Sequence, residues 1–343
     1  MKAAVLIANG IIELQDSVYP QLEDDEYIVK IIAVGICNSD IYRAYSGQAY
    51  HYPLVMGHEI SGVIVEKGCN TNKYTIGQKV VVFPLIPCNS CDYCKRREWV
   101  HCEHYDYYGS RRDGGFQEYL AVKEWNILPI DNDIDSMLAC LCEPIAVSIH
   151  AVDMIPFTKN SNETALVIGA GLLGLMISAL LKGKGYNVAI IDRNDFKLNI
   201  AKEIGVTPIS QDELTSYIQL FPLIIEASGA VVMFKNSIKW ISPFGTVLWI
   251  GNIQGKLNLN QQEVSNVLRK EITIKGVWNS KYQQGIDDDW VKALIAIKKE
   301  KWIRNAVTEI IHIDDLSSKI EDLYLMKYNN VMNKSIKTIV TIS

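Results

Sequence analysis

Two patterns of hydrophobic and polar positions follow each other along this chain. In the first third, short apolar segments separated by polar turn residues are typical of β-strands, and the clearest cover residues 27–34, 62–66 and 79–83. Between residues 136 and 154 the apolar positions follow a helical period, which Pro144 is expected to bend or break. The first part of the chain is therefore predicted to be a β-rich domain that ends in a helical segment.

From about residue 163, strands and helices alternate. Residues 165–168 form a continuous apolar segment, which is typical of a strand buried on both faces of a parallel sheet. A glycine-rich turn, an apolar helix and a second strand at residues 187–191 follow, and further strands are predicted at residues 223–226 and 246–250. The sequence thus predicts a parallel sheet built from βαβ units up to about Trp278.

The remainder of the chain has a different pattern. It predicts helices near residues 288–299 and 314–327 and a closing strand at residues 337–342. That strand has no obvious position in the βαβ series.

The composition is that of a folded protein of about two domains. The chain has 343 residues, of which 48% are hydrophobic and 21% charged, so its apolar content is too high for a disordered chain. With 34 basic and 39 acidic residues its formal net charge is -5, which offers no basic field for a nucleic-acid partner. These values favour a soluble globular protein.

The sequence also predicts neither export nor membrane insertion. Its N-terminal apolar segment is too short for the core of a signal peptide. An uncharged run from Thr164 to Leu181 approaches the lower limit for a membrane span, but three glycines interrupt it, and strand, turn and helix explain it better. We therefore expect a cytoplasmic protein with reduced cysteines, which bind metal more often than they form disulfides when they cluster.

Four cysteines form a compact cluster at residues 88–102. Two-residue gaps separate the first three and a seven-residue gap precedes the last, so four thiolates can converge on one tetrahedral ion: Cys88, Cys91, Cys94 and Cys102. An iron–sulfur cluster is the alternative, but the ferredoxin pattern has a three-residue last gap followed by proline, whereas Glu103 follows here. The spacing predicts a closed structural zinc site.

A second metal site is predicted from dispersed residues. Cys37 follows a strand, His58 and Glu59 open another, and Glu143 precedes Pro144 in the helical segment. Singly, each has a structural explanation: Cys37 could be a core thiol, and a lone histidine is usually one whose hydrogen bonds are satisfied. Together they supply the three protein ligands of a catalytic zinc ion and leave one position for water or substrate.

A glycine-rich loop follows the first strand of the βαβ series. It consists of Gly169, Ala170, Gly171, Leu172, Leu173 and Gly174. The first glycine allows a tight turn, the second allows a pyrophosphate to approach the backbone, and the third allows helix and strand to pack closely. The amides at the helix N-terminus can then bind the phosphates of a dinucleotide.

The dinucleotide is predicted to be NAD. Asp192 ends the second strand, 18 residues after Gly174, where an acidic side chain can bind the ribose hydroxyls of NAD and repel the additional phosphate of NADP. Arg193 follows directly and could accept that phosphate, so NADP is the alternative.

These motifs, in this order, resemble those of the zinc-dependent medium-chain dehydrogenase family. The resemblance covers essentially the whole chain and also includes the segments 57–59, 143–144 and 268–276. It implies a GroES-like catalytic domain at residues 1–152, with the structural zinc lobe at about 84–105, interrupted by a Rossmann domain at residues 153–281. The final residues, 282–343, should return to the catalytic domain.

The resemblance also implies roles for individual residues. Cys37, His58 and Glu143 would hold the catalytic zinc, with Glu59 as an alternate ligand or a partner of the ligands. Ser39 would relay the proton of the substrate hydroxyl. Dimers and tetramers are usual in the family, which implies a homo-oligomer.

Within the family, the chain is most similar to dehydrogenases of polyol phosphates. Three arginines are candidates for binding the phosphate because their guanidinium groups match phosphate oxygens: Arg43, Arg111 and Arg112. Surface ion pairs with Asp113 or Glu118 would equally explain them. The alternatives are a dehydrogenase of an unphosphorylated polyol, a diol or L-threonine, and a zinc-stabilised NAD-binding protein without catalysis.

Overall fold

The computed structural model describes residues 1–156, 163–210, 213–214, 221–283, 288–329, 331 and 334–342. These residues form two compact units. One comprises Met1–Pro144 and Lys281–Ser343, and the other comprises Ile145–Ser280. None of the described helices is both long and apolar enough to cross a membrane.

The first unit is built mainly from antiparallel strands. Its first part contains β1 (Lys2–Ala8), β2 (Ile11–Asp16), β3 (Glu26–Gly35), α1 (Asn38–Tyr45), β4 (Leu54–Val55), β5 (Glu59–Lys67), β6 (Lys79–Val82), β7 (Leu85–Ile86), α2 (Asp92–Lys95), β8 (Asp106–Tyr107), β9 (Tyr119–Lys123), β10 (Ile127–Pro129) and α3 (Ser136–Ala139). The main sheet has the order β10-β6-β5-β3, and β9 also pairs with β3. Eight of the ten residues of β3 are buried, which is why this apolar segment forms the centre of the sheet.

The predicted helical segment consists of two helices rather than one bent helix. α3 ends at Ala139, and α4 (Cys142–Asp153) begins two residues before Pro144. Proline is tolerated in a first helical turn, because the amide that it lacks would have no partner within the helix there. The break therefore precedes Pro144, and the proline lies inside α4.

The second unit contains a six-stranded parallel sheet. Its elements are β11 (Thr164–Ile168), α5 (Leu172–Gly183), β12 (Asn187–Ile191), α6 (Asp195–Glu203), β13 (Thr207–Pro208), β14 (Phe221–Glu226), α7 (Val231–Trp240), β15 (Ile241–Trp249), α8 (Gln261–Arg269) and β16 (Thr273–Gly276). The strand order is β13-β12-β11-β14-β15-β16. β11 pairs with both β12 and β14, so the strand order reverses beside it. In such sheets a ligand binds at the carboxyl ends of the strands, at the point of reversal.

The end of the chain completes the first unit. It forms α9 (Asp289–Lys299), α10 (Trp302–Ala306), β17 (Val307–His312), α11 (Leu316–Tyr328) and β18 (Lys337–Thr341). β18 pairs antiparallel with β3, where Ile339 lies opposite Gly35, and parallel with β17. The predicted fold class, a β-rich domain interrupted by a parallel-sheet domain, is confirmed.

Candidate functional site

Three candidate metal ligands meet where β3 and β5 lie side by side. Gly35 pairs with Glu59 across the two strands, so the chain that leaves β3 reaches Cys37 beside the start of β5. Gly57 has a φ of 89°, which glycine adopts without strain, and turns the chain directly before His58. The Sγ of Cys37, a ring nitrogen of His58 and a carboxylate oxygen of Glu59 all lie within 4.8 Å of one another.

The chemistry of this cluster fits a zinc ion. His58 and Glu59 are buried and Cys37 is half-buried, and thiolate, imidazole and carboxylate are the ligand types that zinc takes in proteins. Glu143 is also buried, in the first turn of α4. Burial raises the pKa of Glu143, His58 lowers it and Glu59 raises it further. The charge of Glu143 therefore acts on the cluster, although Glu143 is not one of the three residues within 4.8 Å.

Asp40 contacts two residues of the cluster, and the sequence analysis did not identify it. It is fully buried in the first turn of α1, and its Oδ1 lies 3.3 Å from His58 Nδ1 and 3.0 Å from Arg43 Nη1. Its Oδ2 accepts a hydrogen bond of 3.2 Å from the amide of Cys37. Burial alone would raise the pKa of Asp40, but His58 and Arg43 hold it below its ordinary value. Its spacing, three residues after Cys37, was the available signal.

A buried lysine from the last strand faces the same cluster. Lys337 Nζ lies 2.5 Å from Glu59 Oε1 and donates a 2.9 Å hydrogen bond to the carbonyl of Ile36. A Cβ on Gly35 would lie 1.9 Å from Glu59 Oε2, so only glycine leaves room for this carboxylate. The sequence carried no signal for Lys337, because the two charges are 278 positions apart and only the pairing of β18 with β3 brings them together.

Two further side chains belong to this region. Ser39, the predicted proton relay, is the second residue of α1 and is half-buried. Tyr107, in β8, packs edge-on against the ring of His58 with a centroid separation of 5.9 Å. Burial, followed by the charges of Glu143 and Cys37, raises the pKa of Tyr107 well above its ordinary value. The sequence analysis assigned no role to Tyr107.

The four clustered cysteines converge as predicted from their spacing. The sulfur atoms of Cys91 and Cys94 lie 3.5 Å apart. The Cys88–Cys94 and Cys91–Cys102 pairs each have a sulfur–sulfur distance of 3.9 Å. Four sulfurs bound at about 2.3 Å to one zinc ion in a tetrahedron would be about 3.8 Å apart. Hydrogen bonds from Ser90 and nearby amides lower the pKa of Cys88 to about 5. Burial raises the pKa of Cys94 and Cys102, so it is the spacing of the four sulfurs that suits a tetrahedral metal ion.

The glycine loop connects β11 to α5. Gly169 has a φ of 105°, and a Cβ on Gly174 would lie 1.8 Å from the carbonyl oxygen of Gly169. A Cβ on Gly171 would instead meet no atom within 4 Å. Gly171 thus borders open space at the start of α5, whereas Gly174 is required for close packing. Leu172 and Leu173, the first residues of α5, are buried and half-buried, respectively.

Asp192 lies at the carboxyl end of β12, beside this loop. Its Oδ2 accepts a 2.7 Å hydrogen bond from the amide of Ala170, and its Oδ1 accepts a 2.9 Å hydrogen bond from the amide of Asn194. Arg193, next to it, is exposed. The glycine loop and the acidic residue thus lie next to each other at the point where the strand order reverses.

The three candidate phosphate-binding arginines have different surroundings. Arg43 is paired with buried Asp40, and Arg112 Nε lies 2.8 Å from Asp106 Oδ2 rather than pairing with Asp113 or Glu118. Arg111 lies over the rings of two tyrosines: Tyr105 at 3.9 Å and Tyr50 at 4.8 Å from the centroids. The Nε of Arg111 is buried and has no hydrogen-bond partner among the described residues.

Two family models match the chain. Residues 23–132 match the alcohol dehydrogenase GroES-like domain, and residues 136–342 match the glucose dehydrogenase C-terminus. Together the matched residues span both units.

Similar proteins are known both from sequence and from crystal structures. The galactitol 1-phosphate 5-dehydrogenase of Escherichia coli (strain K12) is 31% identical over 312 residues, which cover 88% of this chain and 90% of that protein. The L-galactonate-5-dehydrogenase of the same strain is 35% identical over 267 residues, which cover 75% of this chain and 77% of that protein. The crystal structure of galactitol-1-phosphate dehydrogenase from Escherichia coli has a TM-score of 0.87 at 28% identity, and the match covers 99% of this chain and 100% of that chain.

Proposed function

The chain belongs to the zinc-dependent medium-chain dehydrogenase family, and on that premise we propose that it oxidises a secondary hydroxyl of a polyol phosphate and transfers the hydride to NAD. The best candidate reaction converts galactitol 1-phosphate to tagatose 6-phosphate. The observation that carries the proposal is the buried cluster of Cys37, His58 and Glu59, with Asp40 beside the imidazole.

Cys37, His58 and Glu143 would hold the catalytic zinc, with Glu59 as the alternate carboxylate. A bound zinc ion would lower the pKa of a substrate hydroxyl and thereby favour its deprotonation. Asp40, 3.3 Å from Nδ1, would fix the orientation of the imidazole and leave Nε2 for the metal. Ser39, in the first turn of α1, would carry the hydroxyl proton towards solvent.

The glycine loop and Asp192 would bind NAD. The open space beside Gly171 would admit the pyrophosphate, whose charge the amides at the start of α5 favour. The carboxylate of Asp192 would accept hydrogen bonds from the adenosine ribose and repel the 2′-phosphate of NADP. The nicotinamide would accept the hydride.

Arg111 is the best candidate for the phosphate. Its guanidinium group lies over the rings of Tyr105 and Tyr50, donates to the carbonyl of Tyr105 at 2.7 Å and, among the described residues, forms no ion pair with a carboxylate, so its charge is left for a phosphate. Arg43 and Arg112 already pair with carboxylates and would have to bind the phosphate beside those partners. A relative that acts on galactitol 1-phosphate supports the phosphate, and the relative that acts on L-galactonate supports the alternative of an unphosphorylated polyol.

The four-cysteine group would bind a second zinc ion. Four thiolates leave no open position for substrate, so this metal would stabilise the lobe around α2 and take no part in catalysis. We also propose a cytoplasmic homodimer or homotetramer, because reduced thiolates are needed at both metal sites and because the family usually forms such oligomers.

The test is NAD reduction by zinc-loaded protein, with galactitol 1-phosphate set against galactitol, sorbitol and L-threonine. A strong preference for the phosphorylated substrate supports the full proposal, and Arg111→Ala should then raise KM for galactitol 1-phosphate far more than for galactitol. Equal or greater activity with an unphosphorylated alcohol keeps the dehydrogenase and discards the phosphate site.

Two controls separate catalysis from mere cofactor binding. His58→Ala should lose turnover and one zinc ion but keep its affinity for NAD. A wild-type protein that binds one zinc ion per chain and oxidises none of the four substrates would instead support a non-catalytic NAD-binding protein.

A further inference from the structure

Tyr107 lies against the predicted catalytic zinc site and is firmly positioned there. Its strand, β8, pairs with β7, and its carbonyl accepts hydrogen bonds from the amides of Ser110 and Arg111 at 3.2 and 3.0 Å. Its ring packs edge-on against His58 at 5.9 Å and lies 6.2 Å from the ring of Tyr105. Both its backbone and its ring are therefore fixed next to a metal ligand.

The hydroxyl of Tyr107 lacks a hydrogen-bond partner in the part of the chain that the structure describes. Among the described residues it makes no hydrogen bond, whereas the hydroxyl of the next residue, Tyr108, accepts one of 3.2 Å from the amide of Lys123. Tyrosine hydroxyls in protein interiors normally have a partner. Because Tyr107 is half-buried, its hydroxyl is a polar group that remains available to a molecule bound at the site.

The surroundings of this hydroxyl indicate the kind of molecule that would bind it. The charges of Glu143, Cys37 and Arg43 all act on it, so it belongs to the same polar region as the metal cluster. A neutral phenol can donate one hydrogen bond and accept others, as can an alcohol. Its best partner is therefore a hydroxyl group held close to the metal rather than the metal itself.

We propose that the Tyr107 hydroxyl hydrogen-bonds the substrate hydroxyl adjacent to the one that is oxidised, which makes Tyr107 a residue that selects vicinal polyols over simple alcohols. This inference rests on the proposed dehydrogenase function. A site with a positioned polar group discriminates against substrates that cannot pair with it, because the group then stays without a partner. Tyr107 would thus favour the polyol without taking part in proton or hydride transfer.

The experiment compares Tyr107→Phe with wild type on two alcohols that differ by one hydroxyl, 2,3-butanediol and 2-butanol. Phenylalanine keeps the ring that packs on His58, so folding should be unaffected. One neutral hydrogen bond corresponds to a change of about tenfold in kcat/KM. The ratio of kcat/KM for the diol to that for 2-butanol should fall by about this factor. Zinc content and NAD affinity should stay unchanged.

Tyr105→Phe is the matched control, since it removes a hydroxyl one ring further from His58 and keeps the ring beneath Arg111. Its ratio should equal that of wild type. An unchanged ratio in Tyr107→Phe overturns the inference, as does a loss of zinc in that variant. If 2-butanol is oxidised too slowly to measure, kcat/KM for the diol is compared alone. A wild-type value in Tyr107→Phe overturns the inference, and a loss of about tenfold with unchanged zinc content and NAD affinity supports it. A wild-type enzyme that oxidises no alcohol overturns the proposed function, and the inference with it.

Discussion

The buried pair of Lys337 and Glu59 should be costly to break at one partner, and its disruption tests the electrostatics of the site. The two side chains are 6% and 1% exposed, so neither charge has access to water. Lys337→Met keeps the length and apolar stem of the side chain and removes only its charge and its hydrogen bonds. The carboxylate of Glu59 is then buried without its counter-charge.

Removal of one member of a buried ion pair costs about 3–5 kcal/mol, because the remaining charge is neither solvated nor paired. We expect Lys337→Met to lower the free energy of unfolding of metal-free protein by about that amount. Lys337→Met combined with Glu59→Gln leaves neither charge of this pair behind and should recover most of the lost free energy of unfolding. The interaction between the two substitutions should therefore be large and favourable in a double-mutant cycle.

Urea unfolding, followed by tryptophan fluorescence, measures these differences with and without zinc. Zinc bound at the cluster supplies a cation beside Glu59, so it should stabilise Lys337→Met more than wild type. Lys298→Met is the control, because Lys298 pairs with Asp133 at the surface and its loss should hardly move the unfolding midpoint. Simple additivity of the two single substitutions, or a cost below about 1 kcal/mol for Lys337→Met, would refute the reasoning.

Three further predictions test the other sites. Gly171→Ala should fold normally but weaken NAD binding at least about tenfold in a fluorescence titration, because its methyl group enters the open space beside α5. Gly174→Ala should instead lower the melting temperature, because its Cβ cannot fit against the Gly169 carbonyl. A loss of stability in Gly171→Ala with normal NAD binding and stability in Gly174→Ala would contradict the assignment. Cys94→Ser should lose one zinc ion by elemental analysis and unfold at lower urea concentration, and unchanged zinc content would exclude the structural site. In metal-free protein, burial raises the pKa of Glu143 to about 7, so unfolding free energy should fall as pH rises from about 4.5 to about 7, and Glu143→Gln should flatten this dependence.

The features that the sequence predicted correctly depend on local order along the chain. The glycine loop lies between an apolar strand and an apolar helix, and each of these can be identified from neighbouring residues alone. The four cysteines converge because their short gaps leave few other arrangements. The sequence grouped Cys37, His58, Glu59 and Glu143 by residue type and family resemblance. The pairing of β3 with β5 brings the first three together, whereas Glu143 lies outside the group within 4.8 Å.

The residues that the sequence analysis missed act through tertiary contacts. Asp40 has the spacing of an ordinary helix-capping residue, and only its full burial against His58 distinguishes it from one. Nothing in the sequence distinguishes Lys337 from the other lysines, because only the pairing of β18 with β3 places it beside Glu59. Tyr107 lies in a segment with several tyrosines, and its contact with His58 separates it from Tyr105 and Tyr108. Neither charge nor periodicity along the chain carries this information.

The distribution of charge among these residues explains why Glu143, rather than Glu59, is the better candidate for the zinc ligand. Asp40 is balanced by Arg43 and His58, and Glu59 by Lys337. Glu143 is buried and, among the described residues, no basic side chain forms an ion pair with it; the charges of His58 and Lys337 offset only part of the burial that raises its pKa. A buried carboxylate without a counter-charge is stable only when protonated or beside a metal ion. Glu59 has a carboxylate oxygen within 4.8 Å of the other two candidate ligands while it is paired with Lys337, so a metal bound by Glu59 would share its charge with Lys337, and Lys337→Met should favour ligation by Glu59.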